Sequence, residues 1–481
     1  MLQLRAEEME QISNGTFTLD CVKMTLSPSQ AGIGKRCYAG SGSIAQTTGG
    51  KFGKFRVKIY CDESISPGEA FAPLRLQPGT LIGDSEYYSL AATDLRGQEW
   101  GADRILPDLH VGQDFTGFIV EGDSSEIWTA SRSSYWPKAE RVTIFYRGTI
   151  TVPCNTFERT ETYIGDEKAT STGSLNLARF RAAGFELKIR KEEKAITVQA
   201  ISEWQPITDS TWMRIAEGLQ IALGHSLRWS VIETQVKDGV FTRVSAAPSN
   251  EQKTRIGPPI HYQEFDRDGS VWVLFERYLG YALLYQKELS HPIFGLFHSI
   301  IESGSASIEA ETLASSVGIE ALLKEAFVYI GQPSEAFRTE IKMVENAVAT
   351  MPLSPSLRKR ATGSLNAMLS PRTKDQLYIM ADGGLIERRL IKAWEELRNK
   401  AAHGTIIDPT EFEKYVRLCD SNLVLFYQLL FLAIGYSGAY TDYSSIGYPN
   451  KSFKRVLPAI STLNKQGQSI FCDPYVSNQT S

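Results

Sequence analysis

The sequence predicts an α+β multidomain chain, with a β-rich, sandwich-like N-terminal domain followed by an all-α helical bundle. Three observations carry that reading. From about residue 12 to 250, short segments rich in β-branched and aromatic residues alternate apolar with polar, as half-buried antiparallel strands do. Residues 246–261, AAPSNEQKTRIGPPIH, cluster Pro, Gly, Ser and Asn in the manner of connecting segments. Beyond them the apolar spacing changes to three and four residues, the helical period. The division that follows assigns residues 1–255 to a β-rich domain, 256–269 to a linker, 270–435 to a helical domain and 436–481 to a C-terminal tail.

Within the first region, strands are expected at FRVKIYC (55–61), RVTIFYRGTITV (141–152), FELKIR (185–190) and AITVQAIS (195–202). KDGVFTRV (237–244) reads as the return arm of a hairpin turning at Asp238 and Gly239. One helix interrupts them: Asp209 can cap a run through Trp212, Ile215, Leu219 and Leu223 that Gly224 ends. In the second region, Trp272, Leu274, Phe275, Tyr278, Leu279 and Leu283 open helical structure running to about Gly304, with a kink or restart at Pro292. Further helices are expected over 310–330, 334–349, 357–368, 385–402 and 410–434, the last after an Asp408-Pro409 start signal. Together they make a bundle of about six helices. Residues 436–481, rich in Tyr, Ser, Gly and Asn, read as a loosely structured tail.

Composition narrows the function. With 42% hydrophobic and 22% charged residues, the chain is globular. A net charge of −4, from 51 Lys and Arg against 55 Asp and Glu, argues against a general coat for nucleic acid and leaves room for a local basic patch. No apolar run reaches the length of a membrane span, and 423–434 reads as a buried helix. The acidic start MLQLRAEEMEQ is unlike a signal peptide. Six scattered cysteines without a CxxC pair suit a reducing, cytoplasmic setting. GIGKR (32–36) lacks the leading glycine and the Ser or Thr of a phosphate loop. His291 and His298 have no carboxylate at ligand spacing, so no metal site and no cofactor is expected.

One constellation carries chemistry. Three of the six histidines follow an arginine by five or six residues: Arg104/His110, Arg255/His261 and Arg398/His403. The first two lie in Pro-broken stretches. Only the third ends an amphipathic helix, with Ile386, Leu390, Ala393, Trp394, Leu397 and Ala401 on its apolar face. LIKAWEELRNKAAHG (390–404) resembles the signature of the HEPN domain, in which Arg, a polar residue and His form a metal-independent ribonuclease site. LASSVGIEALLKEAF (313–327) resembles that family's early helix, with Glu320 where such domains often carry an acidic residue. A helical HEPN-like domain behind a large β-rich one looks like the ApeA-type antiphage proteins of bacteria. The resemblance implies an abortive-infection effector whose N-terminal domain senses an invader's component, such as a phage protein.

These residue types fit the chemistry. RNA carries its own nucleophile in the 2′-hydroxyl, and a histidine titrating near neutrality can move its proton. Arginine offers a fixed planar cation to the charge developing on the phosphate, and Asn399 can hold an oxygen or orient the imidazole. Arg398, Asn399 and His403 are the expected catalytic set, with Lys400, Arg388, Arg389 and Lys392 as an RNA track. Arg358, Lys359 and Arg360 add positive charge on the preceding helix. The expected products carry 2′,3′-cyclic phosphate and 5′-hydroxyl ends, and tRNA is one possible substrate. Five residues along a helix separate two side chains by about 140° and about 7.5 Å. One helix end therefore aims Arg398 and His403 apart, and a homodimer or higher even-numbered oligomer is expected to complete the site. The competing expectation is a non-catalytic dimerising scaffold whose β domain binds a protein or glycan.

Overall fold

The structure is a computed structural model. It describes residues 4–30, 35–47, 53–65, 79, 81–111, 116–131, 139–164, 167–237, 239–247, 255–265, 269–287, 289–402 and 409–454. A large antiparallel sheet region is followed by a helical region, an α+β layout. Contacts divide the chain into two units, the first comprising Met1–Ala216, Leu227–Gln252 and Gln263–Arg267, the second Glu217–Ser226, Lys253–Tyr262 and Asp268–Ser481.

The first unit opens with helix α1 (Ala6–Asn14) and strands β1 (Thr18–Pro28), β2 (Tyr38–Thr47), β3 (Lys54–Ser64), β4 (Tyr88–Asp94), β5 (Glu99–Ile105), β6 (Asp108–Val111), β7 (Thr116–Ser124) and β8 (Glu126–Ser131). It continues through β9 (Arg141–Arg147), β10 (Thr156–Ile164), β11 (Glu167–Ala182), β12 (Phe185–Lys191), β13 (Ala195–Ser202), β14 (Trp229–Val236) and β15 (Gly239–Ser245). Between β13 and β14 in the chain lies helix α2 (Thr211–Leu223), whose residues from Glu217 on are assigned to the second unit. The strands form one 15-stranded sheet, ordered β10-β11-β12-β13-β9-β14-β15-β8-β5-β4-β1-β2-β3-β7-β6. In the region expected to be sandwich-like, the strands form one continuous hydrogen-bonded sheet that curls on itself, bringing β7 against β5. Ser124 on β7 donates to the Asp103 carbonyl on β5 at 3.3 Å, and a Cβ on Gly122 would lie 2.4 Å from Ile105. Phe17, Phe55 and Trp100 fill the curl, with Phe17 edge-on to Phe55 at 6.2 Å.

The alternation read from the sequence is physical. Phe185, Leu187 and Ile189 of β12 are buried beside Ile196, Val198 and Ala200 of β13. Ala183 and Gly184 join β11 to β12 with φ of 49° and 85°, a two-residue turn of the type that matches strand twist. The expected strand 141–152 stops at Arg147, because Gly148 leaves the extended region at φ 114°. β15 pairs with β14 as the hairpin reading requires; Asp238 lies outside the described residues.

The second unit contains α3 (Ser270–Ala282), α4 (Pro292–Gly304), α5 (Ile308–Ala326), α6 (Glu335–Thr350), α7 (Pro355–Met368), α8 (Thr373–Asp382), α9 (Arg388–Ala402) and α10 (Phe412–Ile434). The chain restarts at Pro292 rather than kinking. Ser307, Ser334 and Ser354 cap α5, α6 and α7 through their hydroxyls. Helix α8 was not anticipated: its buried side chains are Leu377, Met380 and the polar Gln376, whose amide donates to the Phe327 and Ile330 carbonyls. A stripe that short, shared with a glutamine, leaves little periodic signal.

α10 is long and apolar enough to cross a membrane by length and composition, yet 83% of the qualifying window is buried inside the protein. It packs on α5, where Ser315, Ser316 and Gly318 let the backbones approach. Asn422 donates to Ser315 Oγ at 2.8 Å, and a Cβ on Gly318 would meet Ile300 and Phe426.

Two expectations of loose chain are corrected. The first part of the expected tail is the hairpin β16 (Gly438–Thr441) and β17 (Asn450–Phe453), with Tyr436, Tyr440 and Phe453 clustered around Phe431 of α10. Residues 455–481 lie outside the described residues. The first part of the expected linker is also packed, with Ile256 and Ile260 buried. The carbonyls of Gly257, Pro258 and Pro259 accept from the Tyr427 hydroxyl, the Tyr443 hydroxyl and the Thr441 backbone. Arg255 is held in an ion-pair cluster by Glu311 and Asp420.

Asp442 pins the hairpin. It is fully buried and receives Lys451 at 2.6 Å, Arg389 at 3.0 Å and the hydroxyls of Ser444 and Ser445. Burial opposes its charge most strongly, but these donors together bring its pKa from 3.8 down to about 2. A carboxyl depressed on folding stabilises fully above its unfolded pKa and loses that contribution as pH falls through the folded value. Asp442→Asn is therefore expected to cost about 2 kcal/mol at neutral pH and to flatten the loss of stability between about pH 5 and pH 2. Urea unfolding across that range checks it; an acid limb parallel to wild type contradicts it.

Candidate functional site

Helix α9 buries Leu390, Ile391, Ala393, Trp394 and Leu397 and exposes Arg388, Arg389, Lys392, Arg398 and Asn399. The apolar face decides the register. With Trp394 and Leu397 inward, Arg398 and Asn399 are exposed side by side near the helix end. Trp394 also reaches α5, where its indole nitrogen lies 3.5 Å from the Ser316 carbonyl. Arg398 is about half exposed, stands 5.9 Å over the Trp394 ring, and donates to Glu320 at 2.5 Å. The acidic position singled out on α5 is thus the immediate partner of the candidate catalytic arginine.

His403 lies outside the described residues, so the geometry concerns the arginine end alone. α9 extends through Ala402. The Asp408 cap expected for α10 also lies outside, while Pro409–Glu411 forms a 3-10 turn leading into that helix.

The four expected RNA-track residues separate into two groups. Arg388 is paired with Asp382 and stands 5.6 Å from the Tyr378 ring. Arg389 is taken up by Glu387, Asp442 and Ser444, which makes it an anchor for the hairpin. Lys400 sits between Glu396 at 3.3 Å and Glu411 at 3.6 Å. Lys414, and after it Lys400, hold Glu396 below the usual carboxylate range. Lys392 is exposed and makes no ion pair among the described residues. On α7, Arg358 donates to the Met351 carbonyl at 3.0 Å.

Sequence reasoning missed what stands opposite Arg398. A cleft of about 450 Å³ is bounded on one side by Arg372, Thr373 and Lys374, where α8 begins, and on the other by Trp394, Arg398 and Asn399 of α9. Lys374 reaches Glu395 at 2.9 Å across it. Arg372 is exposed and makes no ion pair among the described residues. The arrangement presents three cationic side chains, the Glu395 carboxylate paired with Lys374, and a neutral amide around a space large enough for a small organic anion.

The other candidate motifs are occupied structurally. His291 caps α4, its Nδ1 accepting from the Ile293 amide at 3.2 Å, among the rings of Tyr278, Tyr281 and Tyr285. His298 stacks on Phe294. Among the described residues, no group of three or more His, Cys, Asp or Glu gathers at metal-binding spacing. Lys35 pairs with Glu86 at 3.1 Å and Arg36 with Glu63 at 2.7 Å, and the chain then enters strand β2.

Exposed pairs contribute little to folding, so Arg398→Ala and Glu320→Gln are each expected to change unfolding free energy by less than about 1 kcal/mol. Thermal and urea denaturation of the purified variants check this. A loss above about 2 kcal/mol would mark the pair as part of the packing rather than of a site.

No protein-family model matches the chain, and no curated protein or solved structure matches it.

Proposed function

We propose that the chain is a metal-independent endoribonuclease, with Arg398, Asn399 and His403 as its reactive set. The observation that carries the reading is the exposed Arg398–Asn399 pair on the wall of a cation-lined cleft. In this proposal His403 takes the 2′-hydroxyl proton, O2′ attacks the adjacent phosphorus, and the bond from phosphorus to O5′ breaks. The leaving oxygen receives a proton, giving a 2′,3′-cyclic phosphate and a 5′-hydroxyl. The Arg398 guanidinium bears on the charge that grows on the non-bridging oxygens. Asn399 orients either the imidazole or a phosphate oxygen without adding charge. The nucleophile comes from the RNA itself, so the scheme needs no metal and no cofactor.

A homodimer or higher even-numbered oligomer would set two such helix ends around one phosphate, with one histidine as base and the other as acid. By analogy with the ApeA-type layout, the substrate is tRNA or another cellular RNA in the cytoplasm. The cutting serves antiphage defence, and the β-rich region receives a phage-derived protein trigger.

The scaffold reading draws on a different observation. Across α6 and α7 only Ile341 is buried, while Phe337, Met343, Val344 and Leu357 stay exposed. Such a surface suits association, and it is compatible with either function.

Incubating the purified full chain with a tRNA pool in EDTA separates the two. The ribonuclease reading expects cleavage by wild type and a loss of at least about 100-fold in Arg398→Ala and in His403→Ala. Wild-type cleavage that stops with EDTA and returns with magnesium, or full activity in either variant, contradicts it. Mixing Arg398→Ala with His403→Ala subunits is expected to restore part of the activity through sites shared between chains. A strict monomer that cuts at the wild-type rate would refute the shared site.

A further inference from the structure

The cleft beside Arg398 contains a cation that the reaction scheme leaves unused. We propose that this cleft is a subsite for one nucleotide of single-stranded RNA, with Arg372 binding its phosphate; the proposal rests on the ribonuclease reading above. Size is the first reason. About 450 Å³ lies in the range of sites for small organic ligands and exceeds what a bare phosphate fills.

Charge is the second. Three cations line the cleft, and two are already answered: Lys374 by Glu395 at 2.9 Å and Arg398 by Glu320 at 2.5 Å. Arg372 is exposed and makes no ion pair among the described residues, so its charge is free for an entering anion. Its planar donor fork matches two oxygens of a phosphodiester.

Position is the third. Arg398 and Asn399 belong both to the cleft wall and to the reactive run. A nucleotide held there has its own neighbouring phosphodiester beside Arg398. Asn399 offers an amide donor and acceptor to a base edge or ribose hydroxyl, and Thr373 adds a hydroxyl on the facing wall. Arg372 is then a binding residue that places the substrate and takes no part in bond breaking.

The test uses full-length protein and a fluorescent, non-cleavable 2′-O-methyl single-stranded oligonucleotide, with Kd measured by anisotropy over a series of salt concentrations. Cleavage of the unmodified oligonucleotide is followed in parallel. Arg372→Gln is expected to weaken binding about 3- to 10-fold and to reduce the salt slope by about 0.7, the value of one phosphate contact on a single strand. KM for cleavage should rise by a similar factor while kcat is kept. Lys342→Gln, an exposed change on α6, should alter neither. If wild type cleaves RNA but Arg372→Gln binds and cleaves unchanged, the subsite falls and the ribonuclease reading stands. If binding depends on Arg372 but wild type cuts nothing, the subsite stands and the ribonuclease reading falls. Absence of oligonucleotide binding by wild type overturns the subsite outright.

Discussion

Every residue of α10 from Asn422 to Ile434 is buried, and a helix apolar on all sides must be covered on all sides. The second unit is built around that requirement. α5 meets it with small residues and the C-terminal hairpin with an aromatic cluster on Phe431, while α9 packs Leu397 against Tyr415 and Cys419 earlier in the same helix. Each large apolar side chain so enclosed is worth about 1.5–3 kcal/mol. Once Trp394 and Leu397 are committed inward, the helical period leaves Arg398 and Asn399 on the outer surface. The position of the candidate site thus follows from the packing of a helix that contributes nothing to its chemistry.

Charge is distributed by a related economy. Most cations of α9 already face a carboxylate: Arg398 meets Glu320 and Lys400 meets Glu396 and Glu411 near its end, and Arg388 meets Asp382 at its start. A chain of net charge −4 can present a local positive surface only where such partners are missing. Arg372 and Lys392 are two such positions among the described residues, and Arg372 lines the cleft. Under the proposed function, an RNA phosphate would have to compete with Glu320 for Arg398, since one guanidinium cannot give the same donors to both.

Elements with a clean period were legible. β12 alternates apolar and polar residues, β13 carries β-branched residues at the same period, and the structure has both over almost the expected residues. α9 and α10 were legible from their apolar stripes. What failed were segments whose order comes from partners distant in sequence. Tyr436, Tyr440 and Phe453 lie in a stretch of loop-like composition, and only Phe431 gives them a core to join. Residues 255–261 carry linker-like Pro and Gly, yet their carbonyls are bound by Tyr427 and Tyr443. The curl of the sheet could not be read from strands taken one at a time. At the site, Arg398 and Asn399 stood out because they share a helix end. Arg372 and Lys374 did not, because α8 was itself unrecognised and no spacing rule links it to α9.

The central claim is that this helix end cuts RNA by using the RNA's own 2′-hydroxyl. End-group analysis of the products tests it most directly, by mass spectrometry of tRNA fragments released by the full chain in EDTA. The account predicts 2′,3′-cyclic phosphate and 5′-hydroxyl termini, and an uncut bond wherever the 2′-hydroxyl is replaced by hydrogen. Fragments ending in 3′-hydroxyl and 5′-phosphate, or cleavage at a 2′-deoxy position, would contradict it.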